Sequence, residues 1–245
     1  MNIDFHVHTN RSVDAVHSPR QMVKQACRAG LHAIAITDHE RLFPWNEARQ
    51  LSREFGIVVI PGIEGGNIAI QRHWIALGIT RQLKDASISK VLRFIREEGG
   101  VSIAPHPHSR LGYASYAELG FDAVESLNGT EPGSNARVSN TQSLPEVAGS
   151  DAHSAPMLGH CWTQIDACSG VEEILEAVRK GMCVPVGTTM PFLDYLRFYP
   201  LYVKNRILLQ PSSAYAGLRR GIQDILMVRR RESVIASHIE PARER

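Results

Sequence analysis

The sequence predicts an α/β fold, and three observations support this prediction. Short apolar runs alternate with amphipathic segments from the amino terminus to about Gly187. The first segments follow the order strand, helix, strand, which favours a parallel sheet with a right-handed crossover. The length of 245 residues and the 43% hydrophobic content suffice for a sizeable buried core in one or two domains. Alternation over this length indicates either a barrel or a doubly wound sheet.

The first elements have clear sequence signals. In "IDFHVH", residues 3–8, apolar and polar side chains alternate with the period of two expected of a strand. The stretch "HSPRQMVKQACRAG" predicts a helix, because Ser18 and Gln21 fit a capping box and Gly30 ends the amphipathic pattern. The apolar run in "HAIAITDH" predicts the second strand.

The same alternation continues along the chain. We predict helices in "WNEARQLSREFG", "SISKVLRFIREEGG" and "SGVEEILEAVRKG", each with apolar residues at helical spacing. The intervening apolar runs predict strands in "IVVIPGIEG", "HWIALGI", "VSIAPHPHS", "FDAVESLN", "EVAGSDAHS" and "CWTQID".

The composition changes after about Met190, which divides the chain into a domain at 1–190 and an extension at 191–245. The extension is rich in aromatic residues and carries ten Lys or Arg against five acidic residues. The segment "SAYAGLRRGIQDILMVRRR" has apolar residues at helical spacing, so we expect a helical, basic extension. It would pack on the domain, or contact a polyanion such as nucleic acid or an anionic membrane surface.

The bulk composition excludes several classes of protein. A net charge of +2 does not by itself indicate a nucleic-acid-binding protein. The four cysteines have no CxxC spacing, no signal peptide is visible, and no apolar run reaches the roughly 18 residues of a membrane span. We therefore expect a soluble, cytoplasmic protein with reduced thiols and no transmembrane segment, and the oligomeric state stays open.

Histidines and acids stand at the ends of nearly all predicted strands. The carboxyl ends of barrel strands form one rim, so these side chains would converge at one mouth. Imidazoles and carboxylates together suit Zn²⁺, Mn²⁺ or Fe²⁺, and a bridging carboxylate can hold two such ions close together. The residues concerned are His6, His8, His39, Glu64, His106, Asp151 and His153.

The ordered motifs "DFHVHTN…SVD", "ITDHE", "PGIEGG", "APHPHS" and "GSDAHS" resemble the PHP (polymerase and histidinol phosphatase) superfamily over roughly residues 1–187. The resemblance implies a distorted seven-stranded (β/α) barrel that holds two or three divalent ions. It implies one metal site at His6, His8, Glu64 and Asp151, a second that shares Glu64 and includes His106, and a third at Asp14, His39 and His153.

One position departs from the family pattern. Many family members carry a histidine near the end of "FDAVESLN", where this chain has Asn128. We include Asn128 among the metal ligands, although its carbonyl oxygen would bind an ion more weakly than an imidazole. His73 would line the mouth, and Asp38 would orient a ligand from behind it.

The motifs predict a metal-dependent phosphoesterase in which a metal-bound hydroxide attacks phosphorus. The substrate would be a small phosphomonoester, a nucleotide or the end of an oligonucleotide. His108 and Arg110 follow a predicted ligand on a loop at the rim, where they would contact the substrate phosphate or remain solvated.

Two alternatives remain open. The barrel could bind metal with weak or no catalysis and act in nucleic-acid or protein interaction through its basic tail. It could also hydrolyse a C–N bond, as metallo-amidohydrolases do. The absence of a lysine at a middle strand end argues against this, since Lys84 and Lys90 fall in a predicted loop or helix.

Overall fold

The computed structural model describes residues 1–66, 72–82, 86–131, 143–166 and 169–191. Apart from Pro191, the predicted basic extension at 191–245 lies outside these residues, so its helical character stays a prediction. Within the described ranges, no helix is both long enough and apolar enough to cross a membrane.

Nine strands in the described residues form one sheet, which curls into a nearly closed barrel. Its strand order is β7-β6-β5-β4-β3-β2-β1-β8-β9. Strands β1 to β7 form the barrel, and β8 and β9 continue the sheet beyond β1. The strands are β1 (Asn2–Val7), β2 (Ala33–Ile36), β3 (Val58–Gly65), β4 (Trp74–Leu77), β5 (Val101–Ala104), β6 (Ala123–Asn128), β7 (Glu146–Gly149), β8 (Cys161–Ile165) and β9 (Cys183–Gly187). The predicted distorted seven-stranded barrel is confirmed.

Helices connect and cover the strands. The predicted capping box of the first helix is present, since the Ser18 hydroxyl accepts from the Gln21 backbone N–H and the Gln21 side chain accepts from the Ser18 backbone N–H. The helices are α1 (Pro19–Arg28), α2 (Trp45–Phe55), α3 (Ile88–Glu97), the short α4 (Tyr116–Leu119) and α5 (Val171–Arg179).

The sheet is not parallel throughout, in contrast to what the first elements suggested. Strands β1, β2 and β3 are parallel, but β4 runs antiparallel to both β3 and β5. Only residues 66–73 separate β3 from β4, and a parallel crossover needs a dozen or more residues. The reversal places the amino end of β4, rather than its carboxyl end, at the rim of the barrel.

The barrel closes between β1 and the chain that follows β7. The Asp151 backbone N–H donates to the His6 carbonyl at 2.8 Å, and the His8 N–H donates to the Ala152 carbonyl at 3.0 Å. Between the same two segments, the Asp4 carboxylate accepts the Ser150 N–H at 2.9 Å. These contacts bring the two ligand-bearing segments at opposite ends of the chain side by side.

An irregularity in β1 turns its histidines into the barrel. The pairing of β1 with β2 shifts register between Asp4 and Val7. Phe5 packs in the interior cluster that contains residues of most strands, whereas Val7 packs with α1 and α2 on the outer side. A bulge of this kind re-aims the side chains that follow it. His6 and His8 therefore share the inner face at the mouth.

The interior has no room for a side chain at Gly149. A Cβ atom there would lie 2.4 Å from the His6 Cβ and 2.4 Å from the Glu125 Oε1. Glycine at this position lets β7 approach β1 closely enough to close the barrel around His6.

We predict that Gly149→Ala destabilises the metal-free fold by about 1–3 kcal/mol, because the methyl group would overpack a filled interior. Urea unfolding in the presence of a chelator measures this loss.

Gly170→Ala is the control for Gly149→Ala. Its methyl group would meet only the Glu172 carboxylate, at 3.7 Å, so it should cost less than about 1 kcal/mol through the helix N-cap preference. Equal stability of the two variants would contradict the close approach of β7 to β1.

Candidate metal centre

The structure gathers the sequence-predicted ligands at one mouth of the barrel. His6 and His8 come from the end of β1, Glu64 from β3, and Asp151 and His153 from the segment after β7. These side chains, together with Asp14, His39 and His106, are buried or nearly buried, with 14% exposure at most.

Glu64 stands at the centre of the cluster, and its two oxygens face different groups. Oε2 lies 3.5 Å from His6 Nε2, 3.3 Å from His8 Nε2 and 2.9 Å from His39 Nδ1. Oε1 instead lies 3.0 Å from His73 Nδ1 and 3.3 Å from His106 Nε2. A carboxylate in this position can give one oxygen to each of two ions.

Two further groups complete the arrangement. Asp151 Oδ1 lies 3.4 Å from His6 Nε2 and 3.2 Å from His8 Nε2, next to the Oε2 side of Glu64. Asp14 Oδ2 lies 3.5 Å from Nε2 of both His39 and His153. These contacts bring together the side chains of the three sets that the resemblance implies, and the assignment of each set to an ion stays a prediction.

Neighbouring groups orient several imidazole rings of the cluster. His6 Nδ1 contacts Glu125 Oε1 at 3.0 Å, and His106 Nδ1 contacts Ser109 Oγ at 2.8 Å. His153 Nδ1 lies 2.8 Å from the Asp151 carbonyl. In each case the partner holds Nδ1 and leaves Nε2 turned to the cluster, as outer partners of metal-binding histidines do.

Asp38 contacts the cluster indirectly, through Thr9 and Ser12. It accepts the Thr9 backbone N–H at 2.6 Å and the Ser12 hydroxyl at 3.1 Å, and that hydroxyl lies 3.3 Å from His8 Nδ1. Asp38 thus fixes the loop that orients His8, which agrees with the role expected of it.

The cluster fits bound ions better than it fits a hydrogen-bonded core. Buried atoms of the cluster without a hydrogen bond include Asp14 Oδ1, His39 Nδ1, Glu64 Oε2 and both ring nitrogens of His73. His39 Nδ1 and Glu64 Oε2 are 2.9 Å apart, but their geometry is not that of a hydrogen bond. Ligands about 2.1 Å from a tetrahedral ion are about 3.4 Å from one another, which is close to the separations around Glu64.

Two backbone positions support a functional role for the mouth. His106 and Asp151 have positive φ angles of 30° and 52°, in a region that side-chain-bearing residues rarely adopt. Backbone strain of this kind clusters at functional sites.

The charges of the cluster shift the histidine pKa values. Burial lowers the pKa of His8 to about 3, with help from His153 and His39, so its ring is neutral and ready to bind a metal. Burial alone would also lower the pKa of His6 and His106. The carboxylates outweigh burial, raising the His6 pKa well above its usual value and the His106 pKa to about 9, in the latter case mainly through Glu64.

Asn128 does not offer its oxygen to the cluster. Its Oδ1 accepts the backbone N–H groups of Thr130 and Glu131 at 2.9 and 3.0 Å, and its Nδ2 donates to Glu125 Oε2 at 2.9 Å. A role of Asn128 as a ligand stays a prediction, and this orientation does not support it.

Two residues were unassigned or underrated from the sequence. Glu125 went unassigned, and its place three residues before the last residue of β6 gave no signal for its contact with His6, because the register of β6 shifts between Glu125 and Leu127. His73 was expected only to line the mouth, yet it contacts Glu64 directly. His108 and Arg110 lie exposed on the loop after β5, and their role as substrate contacts stays a prediction.

Known proteins share this barrel. A two-domain protein of Bacteroides vulgatus containing a predicted PHP-like metal-dependent phosphoesterase superposes with a TM-score of 0.61 at 21% identity, over 80% of this chain and 68% of that chain. Endonuclease Q, in complex with a duplex that has an abasic lesion at the active site, superposes with a TM-score of 0.57 at 14% identity, over 81% of this chain and 66% of that chain. The fold is therefore that of PHP-like metal-dependent phosphoesterases.

Sequence comparison identifies the family. The model of the PHP domain matches residues 4–120, and the model described as PHP-associated matches residues 135–183. An uncharacterized protein of Methanocaldococcus jannaschii is 32% identical over 142 residues, which are 52% of this chain and 82% of that protein. The chain belongs to the PHP family, and a site for divalent metal ions follows from its fold and its His/Asp/Glu clusters.

We predict that metal affinity falls as the pH is lowered below about 9. His106, with a pKa of about 9, and His6, whose pKa is raised, are protonated in the metal-free fold at neutral pH and must lose these protons to bind an ion. Each displaced proton weakens apparent binding about tenfold per pH unit. Titration calorimetry in two buffers of different ionisation enthalpy counts the protons released. Affinity independent of pH, without proton release, would refute the assignment.

We also predict that Glu125→Gln weakens metal binding by about 10–100-fold while the barrel still folds, because an amide cannot replace both carboxylate contacts to His6 and to the His106 N–H. Competition with a chromophoric chelator measures the change. Glu118→Gln, on the exposed side of α4, is the matched control and should leave metal affinity unchanged.

Proposed function

We propose that this protein is a divalent-metal-dependent hydrolase of phosphate esters. The observation that carries the proposal is the position of Glu64, whose two oxygens face two separate sets of imidazoles in a buried mouth. The endonuclease and the predicted phosphoesterase that share the fold support phosphate esters as the substrate class. We propose Zn²⁺, Mn²⁺ or Fe²⁺ as the ions, since imidazole and carboxylate ligands accept all three.

Different side chains would have different roles in such a reaction. Divalent ions bound here would supply Lewis acidity toward a phosphoryl oxygen and lower the pKa of water. His6, His8, Asp151 and Glu64 would hold the ions, and Glu125 keeps the His6 ring in place. His108 and Arg110, exposed beside the mouth, would bind the charge of the substrate phosphate from the solvent side.

We propose that the substrate is a small phosphomonoester, a nucleotide or the end of an oligonucleotide. The division into a barrel at 1–190 and an extension at 191–245 is also a proposal. The Met190 N–H donates to the Gly129 carbonyl at 2.8 Å and the Met190 side chain is buried, so the chain remains attached to the barrel up to this residue.

We predict that the protein loaded with Mn²⁺ or Zn²⁺ hydrolyses members of a panel of phosphomonoesters, nucleotides and 5′- or 3′-phosphorylated oligonucleotides. Glu64→Gln should lower the rate by at least about 100-fold, because even outer partners of metal ligands are worth about 10–100-fold. Phosphate release and gel analysis of the oligonucleotides measure the rates, and Glu118→Gln is the control.

If protein that contains bound metal hydrolyses no substrate of the panel, the proposal is wrong. Removing the residues after 190 then separates the second candidate, a metal-binding module that acts through its tail. If catalysis persists and polyanion binding disappears, the tail is an accessory. If neither form has catalysis, the module gains support.

A further inference from the structure

The ring of His73 is buried at the mouth but makes no hydrogen bond. Its side chain is 5% exposed, and neither ring nitrogen has a hydrogen-bond partner. A buried polar group without a partner costs about 1–3 kcal/mol, so such a residue calls for an explanation. The reversal of β4 places His73 at the rim, because it immediately precedes the amino end of that strand.

The backbone holds His73 in this place. Its N–H donates to the Leu111 carbonyl at 2.7 Å, which ties it to the loop that carries His106. The His73 and His106 rings meet edge to face, with centroids 5.3 Å apart. Both rings are therefore fixed relative to each other.

The nitrogens of these two rings converge on one oxygen. His73 Nδ1 lies 3.0 Å and His106 Nε2 lies 3.3 Å from Glu64 Oε1. His39 is also near, since its ligand atom lies within 4.8 Å of those of Glu64 and His73, but its own contact to Glu64 is with Oε2. Two ring nitrogens from different elements thus lie within 3.3 Å of Glu64 Oε1.

The orientation of Asn128 is fixed by its neighbours. Two backbone N–H groups, of Thr130 and Glu131, donate to its side chain, and only the amide oxygen can accept them. The amide nitrogen must then face the cluster, where it lies 2.9 Å from Glu125 Oε2 and 3.4 Å from Asp151 Oδ2. A group that presents N–H bonds to the cluster cannot bind a cation.

We infer that the second ion is bound by Glu64 Oε1, His73 Nδ1 and His106 Nε2, and that His73 supplies the ligand that Asn128 does not. The inference rests on the proposed metal-dependent function. Three protein ligands leave a coordination position open for water or for a substrate oxygen, as catalytic sites require.

Asn128 has a positioning role in this arrangement. Its Nδ2 and the Thr130 hydroxyl both donate to Asp151 Oδ2, at 3.4 and 3.0 Å. These bonds occupy Oδ2 and leave Oδ1 turned toward His6 and His8. Asn128 thus limits Asp151 to one oxygen at the first ion.

The test is a count of bound ions that does not depend on activity. The full-length protein and its variants are stripped with a chelator, reloaded with Mn²⁺ and analysed for metal content, with electron paramagnetic resonance to detect a spin-coupled Mn²⁺ pair. We expect His73→Ala to lose one ion per chain, or to bind it at least about 10–100-fold more weakly, and to lose the coupled signal. Asn128→Ala should keep both the number of ions and the coupled signal.

His32→Ala is the control for His73→Ala, because His32 is an exposed histidine whose Nδ1 accepts the Asn2 N–H. If His73→Ala does not fold, as circular dichroism would show, His73→Gln replaces it with a side chain of closer volume. A full count with the coupled signal in the His73 variant would overturn the inference. So would the loss of an ion from Asn128→Ala alone. If the variants bind the expected numbers of ions but the unmodified protein hydrolyses no substrate, only the proposed function would be overturned.

Discussion

The structure depends on one constraint, which is the burial of many imidazoles and carboxylates side by side in the mouth of the barrel. Charged and polar groups tolerate burial only when they are paired, hydrogen-bonded or bound to an ion. The two oxygens of Glu64 lie 2.9–3.5 Å from five neighbouring imidazoles. Several buried atoms of these groups have no hydrogen-bond partner, so hydrogen bonds do not account for all of these contacts. Ions would satisfy these atoms together, so metal binding and the stability of the barrel are linked.

Features far from any ligand make this burial possible. The bulge in β1 turns His6 and His8 inward, and Gly149 leaves the space that the His6 side chain occupies. The seam between β1 and the chain after β7 sets residues 6 and 151 opposite each other through a backbone hydrogen bond. The geometry of the mouth therefore comes from how the barrel closes, and the ligand side chains are placed by backbone contacts.

The sequence predicts the α/β alternation and most residues of the cluster, because polar residues that follow apolar parallel strands lie at one edge of the sheet, and the family resemblance implies the barrel. His39 and His106 illustrate this, since each follows its strand by two or three residues and faces Glu64. The orientation of Asn128 could not be predicted, because it depends on two backbone N–H groups in the loop after β6. The register shift in β1 likewise results from its pairing with β2 and leaves no mark on the alternating pattern of residues 3–8. The reversal of β4 did leave a signal, the short interval before Trp74.

The reversed strand also explains how a ligand can change its position in the sequence while the ion stays in place. A metal ion requires a ligand nitrogen at a given position, and any strand that brings a nitrogen to that position can supply it. A parallel strand brings only its carboxyl end to the rim, but β4 brings its amino end, so the residue before Trp74 meets Glu64 Oε1. If His73 binds the second ion as inferred, position 128 need not bind metal, and its amide contacts Asp151 instead. Ligands of this barrel are thus better identified by their distance from the rim than by their place in a motif.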